Sequence, residues 1–90
     1  MLNELYQTLL QRKENPNTNS YTSRLLADGE DEIVKKVGEE AIEVILAAKS
    51  QGDQRLIEEI SDLTYHVLVL MVSRGLSLAD IQQELEKRRR

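Results

Sequence analysis

The sequence predicts an all-α fold: an antiparallel bundle of four to five helices, completed by homodimerisation. Three observations carry this reading. Apolar residues recur at three- and four-residue spacing along most of the chain, and no stretch alternates with period two. Punctuation is sparse, with one Pro and four Gly, and three of the glycines (Gly29, Gly52, Gly75) stand where helical stretches run out. The 90 residues include no Phe and no Trp, so a core of Leu, Ile, Val and Ala must offset an ordering cost of about 1.5 kcal/mol per residue. A partner subunit is the expected source of the missing stability.

The elements follow in order. Leu2, Leu5, Tyr6, Leu9 and Leu10 predict a first helix over roughly 2–13, and the polar stretch around Asn15-Pro16-Asn17 predicts a loop. Ser20 is placed to cap a short helix, Tyr21 to Asp28, closed by Gly29. A long helix from about Asp31 to Gln51 ends at Gly52; Asp53 then caps a second long helix running to Arg74 and stopping at Gly75. Ser77, with Asp80 three residues on, resembles a capping box opening a last helix over about 78–88. Residues 1–90 read as a single domain.

Composition excludes several function classes. The formal net charge is −4, and without the basic Lys87–Arg90 tail 8 cations face 16 anions. Such an acidic body is repelled by nucleic-acid phosphate. The longest unbroken apolar run, Val67 to Val72, is six residues, far short of the roughly 20 that span a membrane. The first residues include Asn3 and Glu4 and do not read as a secretory leader, so the cytoplasm is the expected location. The absence of Cys rules out a disulfide framework and a thiolate metal site.

The two long helices carry the chemistry. On a wheel of about 100° per residue, Ile33, Val34, Val37, Ala41, Val44, Ile45 and Ala48 form what reads as an ordinary core stripe, with Lys36, Glu39, Glu40 and Glu43 on a neighbouring strip. Ile42 and Leu46 lie beyond the acids, so the acidic strip is flanked by apolar surface on both edges. On the next helix apolar residues point nearly all round from Leu63 to Val72, the pattern of a buried helix. One narrow polar seam interrupts it, formed by Glu59, Asp62, His66 and Ser73. Glu40-x-x-Glu43 and Glu59-x-x-Asp62 therefore offer two acid pairs on helices that a tight turn makes antiparallel, with Glu39 and Glu58 close by.

Four carboxylates in one place need counter-charge. Lys36 supplies part of it; the remainder points to hard divalent cations, Mg²⁺ with Mn²⁺ as substitute, which take carboxylate oxygens together with waters and substrate phosphates. Such a site can activate a water and hold a polyphosphate. A single Glu–Lys pair at helical spacing is ordinary surface decoration; two matched motifs on consecutive helices are not. His66 reads as a partner of Asp62 or a core histidine, since imidazole suits Mg²⁺ poorly. Tyr6 and Tyr65 read as packing residues.

Two runs, Lys35-Lys36-Val37-Gly38-Glu39-Glu40-Ala41-Ile42-Glu43-Val44 and Glu59-Ile60-Ser61-Asp62-Leu63-Thr64-Tyr65-His66, resemble the phosphoribosyl-ATP pyrophosphatases of histidine biosynthesis. The resemblance extends over about residues 2 to 88, through Ser20-Tyr21-Thr22 upstream and Arg74-Gly75-Leu76-Ser77-Leu78 downstream. The acid spacing alone is shared with all MazG-like α-helical nucleotide pyrophosphohydrolases; the Ser-Tyr-Thr segment, the Lys-Lys-x-Gly-Glu-Glu run and the Tyr-His pair favour the histidine branch.

The resemblance implies a dimeric, nucleotide-binding hydrolase that cleaves phosphoribosyl-ATP to phosphoribosyl-AMP and pyrophosphate with Mg²⁺. It implies Glu40, Glu43, Glu59 and Asp62 as metal ligands, and Glu39 with Glu40 as catalytic acids, Glu39 as base or outer ligand. Lys36 would offset phosphate charge, and Ser20, Tyr21, Thr22 and His66 would face the substrate. The alternatives are a general house-cleaning nucleotide pyrophosphohydrolase and a non-catalytic helical dimer.

Overall fold

A computed structural model describes residues 1–89 and consists of α1 (Leu2–Glu14), α2 (Tyr21–Asp28), α3 (Glu30–Ser50), α4 (Gly52–Arg74) and α5 (Leu78–Arg88), with no strand among the described residues. Arg90, the end of the basic tail, lies outside them. No helix among the described residues is long and apolar enough to cross a membrane.

The caps follow local chemistry. The Ser20 hydroxyl accepts from the Ser23 backbone N–H and opens α2. Ser77 and Asp80 form a complete, reciprocal capping box at the start of α5. The tight connection between α3 and α4 differs from expectation. α4 begins at Gly52, behind Gln51, with no side-chain cap, so Asp53 sits within the first turn instead of closing it. Gly52 makes the reversal itself, at φ +85°, a region that side chains with a Cβ rarely enter. Asp53 still places its charge where the helix dipole favours an anion.

α3 and α4 pack along each other as an antiparallel hairpin, by far the most extensive contact between elements. The core gathers at only one end of this hairpin. Leu9 of α1, Leu25 of α2, Ile33 at the start of α3, and Leu68, Val69, Met71 and Val72 of α4 form one buried cluster. Two side-chain bonds lock α1 to that end: the Tyr6 hydroxyl donates to the Leu76 carbonyl at 2.7 Å, and Lys13 Nζ donates to the Val72 carbonyl at 3.0 Å. The first, a bond beyond simple packing, was not expected of Tyr6.

Towards the hairpin turn burial fades. The predicted α3 core stripe is buried at Ile33 and half-buried at Val37, Ala41 and Val44, but Val34, Ile45 and Ala48 are exposed. The reason is geometric: among the described residues α3 packs chiefly on α4 and α2, which leaves its outer side open. Ile42, Leu46, Ile57 and Ile60 are exposed as well, and Val67 departs from the fully buried α4 pattern at 37% exposure. α5 has no buried residue, and Leu78 is its one side chain against the core. The radius of gyration, 14.3 Å, exceeds the roughly 12 Å of a compact chain of this length, as open faces require.

Candidate metal centre

The acids meet where the hairpin leaves the core. Glu40 comes from the middle of α3, and Glu59 and Asp62 come from the first half of α4, one helical turn apart. One carboxylate oxygen from each lies within 4.8 Å of the other two. Burial is graded: Glu59 is 4% exposed, Glu40 is half-buried and Asp62 is exposed. The trio thus forms a wall with one side towards solvent.

Glu43, the fourth expected ligand, is half-buried one turn beyond Glu40 and does not belong to this trio. The wheel explains why. The side of α3 that faces α4 runs through Ile33, Glu40 and Ala47, and Glu43 lies about 60° off that line, towards the acid strip's outer edge. Glu39 lies further round and is exposed. Glu58 is exposed and outside the trio.

Each cation has a place. Lys36 Nζ lies 3.2 Å from Glu39 Oε2 and 3.7 Å from Glu40 Oε1. The Glu39 hydrogen bond is the main cause that raises the Lys36 ammonium above its ordinary range. Arg55, which sequence reasoning passed over, bridges Glu58 at 2.7 Å and Glu59 at 2.5 Å. The Glu58 bond is the first cause of its raised value, followed by the charge of Glu59, with Glu43 contributing at longer range. The same contact, joined by Gln54, lowers the Glu58 carboxyl. The signal for Arg55 was present as Arg at i with Glu at i+3 and i+4, the spacing of a helical ion pair. The Asp62 carboxylate has no hydrogen-bond or ion-pair partner among the described residues.

Behind the acids stands a polar and aromatic layer. His66 is buried; its Nδ1 bonds the Asp62 backbone carbonyl at 2.8 Å and its Nε2 lies 3.0 Å from the Tyr21 hydroxyl. A carbonyl only accepts, so Nδ1 carries a proton; in the neutral ring Nε2 then accepts from Tyr21. His66 therefore supports Asp62 through the backbone. Tyr21 stacks on Tyr65 with centroids 6.3 Å apart, and Tyr65 meets His66 edge-on at 5.0 Å. The Tyr65 hydroxyl bonds the buried Thr22 hydroxyl, a role beyond packing. Burial is the main cause that raises the Tyr21 phenol, opposed by Lys36 and reinforced by Tyr65, Glu40 and Glu39. Those neighbours place Tyr21 beside the acid wall. Of the expected substrate-facing residues, Ser20 is engaged as the α2 cap and Thr22 with Tyr65, while Tyr21 and Lys36 keep exposed surface near the acids.

The donor set fits a hard divalent ion. It offers carboxylate oxygens from both helices, and ligand oxygens on Mg²⁺ at about 2.1 Å stand no more than roughly 4.2 Å apart, which small side-chain rotations reach from the observed spacing.

An antiparallel α3–α4 hairpin that brings Glu40, Glu59 and Asp62 together defines the class: an all-α protein with a carboxylate-lined candidate site for a divalent ion. Comparison with known proteins narrows it. Residues 2–89 match the model of the phosphoribosyl-ATP pyrophosphohydrolase family. The chain is similar to the phosphoribosyl-ATP pyrophosphatase of Lactiplantibacillus plantarum, 55% identical over 97% of this chain and 82% of the relative. It is 54% identical to that of Listeria monocytogenes serotype 4a, over 98% of this chain and 84% of the relative. It is 51% identical to that of Clostridium botulinum, over 99% of this chain and 81% of the relative. The chain belongs to the phosphoribosyl-ATP pyrophosphohydrolase family.

Proposed function

We propose that this chain hydrolyses phosphoribosyl-ATP to phosphoribosyl-AMP and pyrophosphate, the second step of histidine biosynthesis, with Mg²⁺ as its cofactor. The observation that carries the reading is the convergence of Glu40, Glu59 and Asp62 from two helices onto one point. Family membership supports the substrate. Glu40, Glu59 and Asp62 would hold the ion, with Glu43, one turn beyond Glu40, as the further ligand. The bound ion supplies charge neutralisation for the polyphosphate and acidifies a water.

The rest is the work of side chains on the page. Glu39, exposed and next in sequence to Glu40, takes the proton of the attacking water, and Glu40 orients that water. Lys36, already 3.2 Å from Glu39 and 3.7 Å from Glu40, turns its ammonium to the phosphates when substrate arrives. Tyr21 and, behind it, His66 and Thr22 form the wall against which the nucleotide lies, and Ser20 holds that wall in place by capping α2. Water adds across the α–β anhydride and the pyrophosphate leaves, its charge offset by Lys36.

The enzyme works as a homodimer in the cytoplasm, without nucleic-acid or membrane partners. Val34, Ile42, Ile45, Leu46, Ile57 and Ile60 leave an apolar face uncovered on the hairpin, and an antiparallel hairpin with one bare face is completed by a second hairpin. A substrate panel tests the function. Pyrophosphate release from phosphoribosyl-ATP at rates well above those for dCTP, dUTP and ATP is expected. Equal rates across the panel would instead make the chain a general house-cleaning enzyme, and no release from any would leave a non-catalytic helical dimer.

A further inference from the structure

Arg55 has no part in the chemistry above, yet it grips one of the proposed ligands. Its guanidinium spans two glutamates on the same helix: Nη1 donates to Glu58 Oε1 at 2.7 Å, and Nη2 to Glu59 Oε1 at 2.5 Å. The acceptors differ in surroundings. The Glu59 side chain is 5% exposed, and that of Glu58 is 46% exposed. Glu59 belongs to the acid trio. Glu58 does not, and is steadied by Gln54 Nε2 at 3.3 Å.

A buried carboxylate needs a counter-charge. Lys36 is committed to Glu39 and Glu40, so among the described residues Arg55 is the cation that neutralises Glu59. A divalent ion on the same carboxylate duplicates that role, and it repels a guanidinium a few ångströms away. Arg55 need not swing into solvent to relieve the repulsion, because half of its fork already rests on Glu58 outside the trio.

We propose that Arg55 is a displaceable counterion: it holds Glu59 while the site is metal-free, releases it to an entering divalent ion, and stays docked on Glu58. The inference rests on the metal-binding reading of Glu40, Glu59 and Asp62. It makes Arg55 a positioning residue that acts through Glu59. One contact then has two linked effects: it stabilises the metal-free fold and lowers the apparent affinity for metal, since binding must first break it.

The test uses the full chain and Mn²⁺ alone, with free Mn²⁺ read by its EPR signal and melting followed in EDTA. Arg55→Gln is expected to melt lower in EDTA and to bind Mn²⁺ about fivefold more tightly. Arg55→Lys, which keeps the charge, should restore most of the wild-type behaviour in both readouts. Glu58→Gln removes the resting place, keeps Arg55 on Glu59, and should weaken Mn²⁺ binding; it serves even where Arg55→Gln folds poorly. Unchanged or weaker Mn²⁺ binding in Arg55→Gln, or unchanged binding in Glu58→Gln, overturns the proposal while leaving the metal site intact. A wild-type chain that binds no Mn²⁺ overturns the metal reading itself, and this inference with it.

Discussion

Replacing Asp62 by Asn should make the metal-free protein more stable while destroying its activity, an inversion of the usual relation between damage and stability. The Asp62 carboxylate makes no bond that the amide would lose; the bond from His66 Nδ1 goes to the Asp62 backbone carbonyl, which the change leaves alone. What disappears is repulsion. The Asp62 oxygen lies within 4.8 Å of both the Glu40 and the Glu59 oxygens. At that distance two unit charges in water-like surroundings repel by about 0.9 kcal/mol. Water-like screening is the right limit, because Asp62 is exposed. A Debye length of about 10 Å at 0.1 M salt leaves roughly 60% of that; Arg55 on Glu59 and Lys36 beside Glu40 offset part of it, so the two pairs together contribute at most about 1 kcal/mol.

For a domain of this size about 1 kcal/mol corresponds to roughly 4–8 °C in melting temperature, which is the ceiling of the expected rise. The assay is a thermal melt by circular dichroism in EDTA at fixed protein concentration, since association shifts apparent stability. Adding Mn²⁺ should then raise the wild type well above its metal-free melt and the variant much less. Turnover of phosphoribosyl-ATP should fall by about 100-fold or more, because even residues that merely support a metal ligand cost up to that much. An Asp62→Asn chain that melts several degrees below wild type in EDTA, or that gains as much from Mn²⁺, refutes the reasoning.

Three further outcomes are expected. Gly75→Ala should lower stability by about 1 kcal/mol in urea titrations: Gly75 closes α4 in the left-handed region at φ +73°, and a Cβ there meets nothing within 4 Å, so the cost is backbone strain alone. An unchanged midpoint would show that the α4 terminus relaxes freely. Burial raises the Tyr21 phenol above its ordinary 10.0, so its contribution to stability is complete below pH 10 and is lost as pH climbs through the raised folded value. Tyr21→Phe should therefore flatten the alkaline fall in stability between about pH 10 and 12, measured by denaturation at fixed pH; an identical slope in both proteins would count against the environment assigned to Tyr21. The proposed homodimer predicts that Ile45→Glu, at a side chain 60% exposed, converts dimer to monomer on a sizing column with helix content largely kept; a wild-type monomer would refute the homodimer, and a dimer surviving in the variant would place its interface elsewhere.

Most of the fold was legible because its signals are local. Helical spacing, Ser20, Gly29, Gly75 and the Ser77/Asp80 box place four of the helices to within a residue or so, and the two side-chain caps observed, Ser20 and Ser77 with Asp80, are ones named from sequence. The turn between α3 and α4 misled by one position because two residue types competed for it. Asp53 is a good cap and Gly52 a good reversal; a one-residue connection leaves room only for the reversal. The α3 stripe was read as core over its full width because a wheel reports which residues share a side, and not whether anything lies opposite. Val34 and Ile45 stay exposed because no described element lies against them.

The site divides along the same line. Pairing Glu40 with Glu59 and Asp62 needed only two spacings and an antiparallel turn, and all three meet. Whether Glu43 also turns inward depends on tens of degrees of helix rotation, which packing sets and spacing does not. The contacts of Tyr21 with His66 and of Thr22 with Tyr65 cross 45 and 43 residues of chain. No periodicity encodes such pairs; they exist because α2 lies across the hairpin beside the acids. Arg55 is the opposite case, a local ion pair visible in the spacing but indistinguishable there from surface decoration. Only the burial of Glu59 turns it into something else. An exposed Arg–Glu pair contributes little and can be exchanged freely, whereas a cation on a carboxylate that is almost wholly enclosed becomes the competitor of whatever ion that carboxylate was placed to bind.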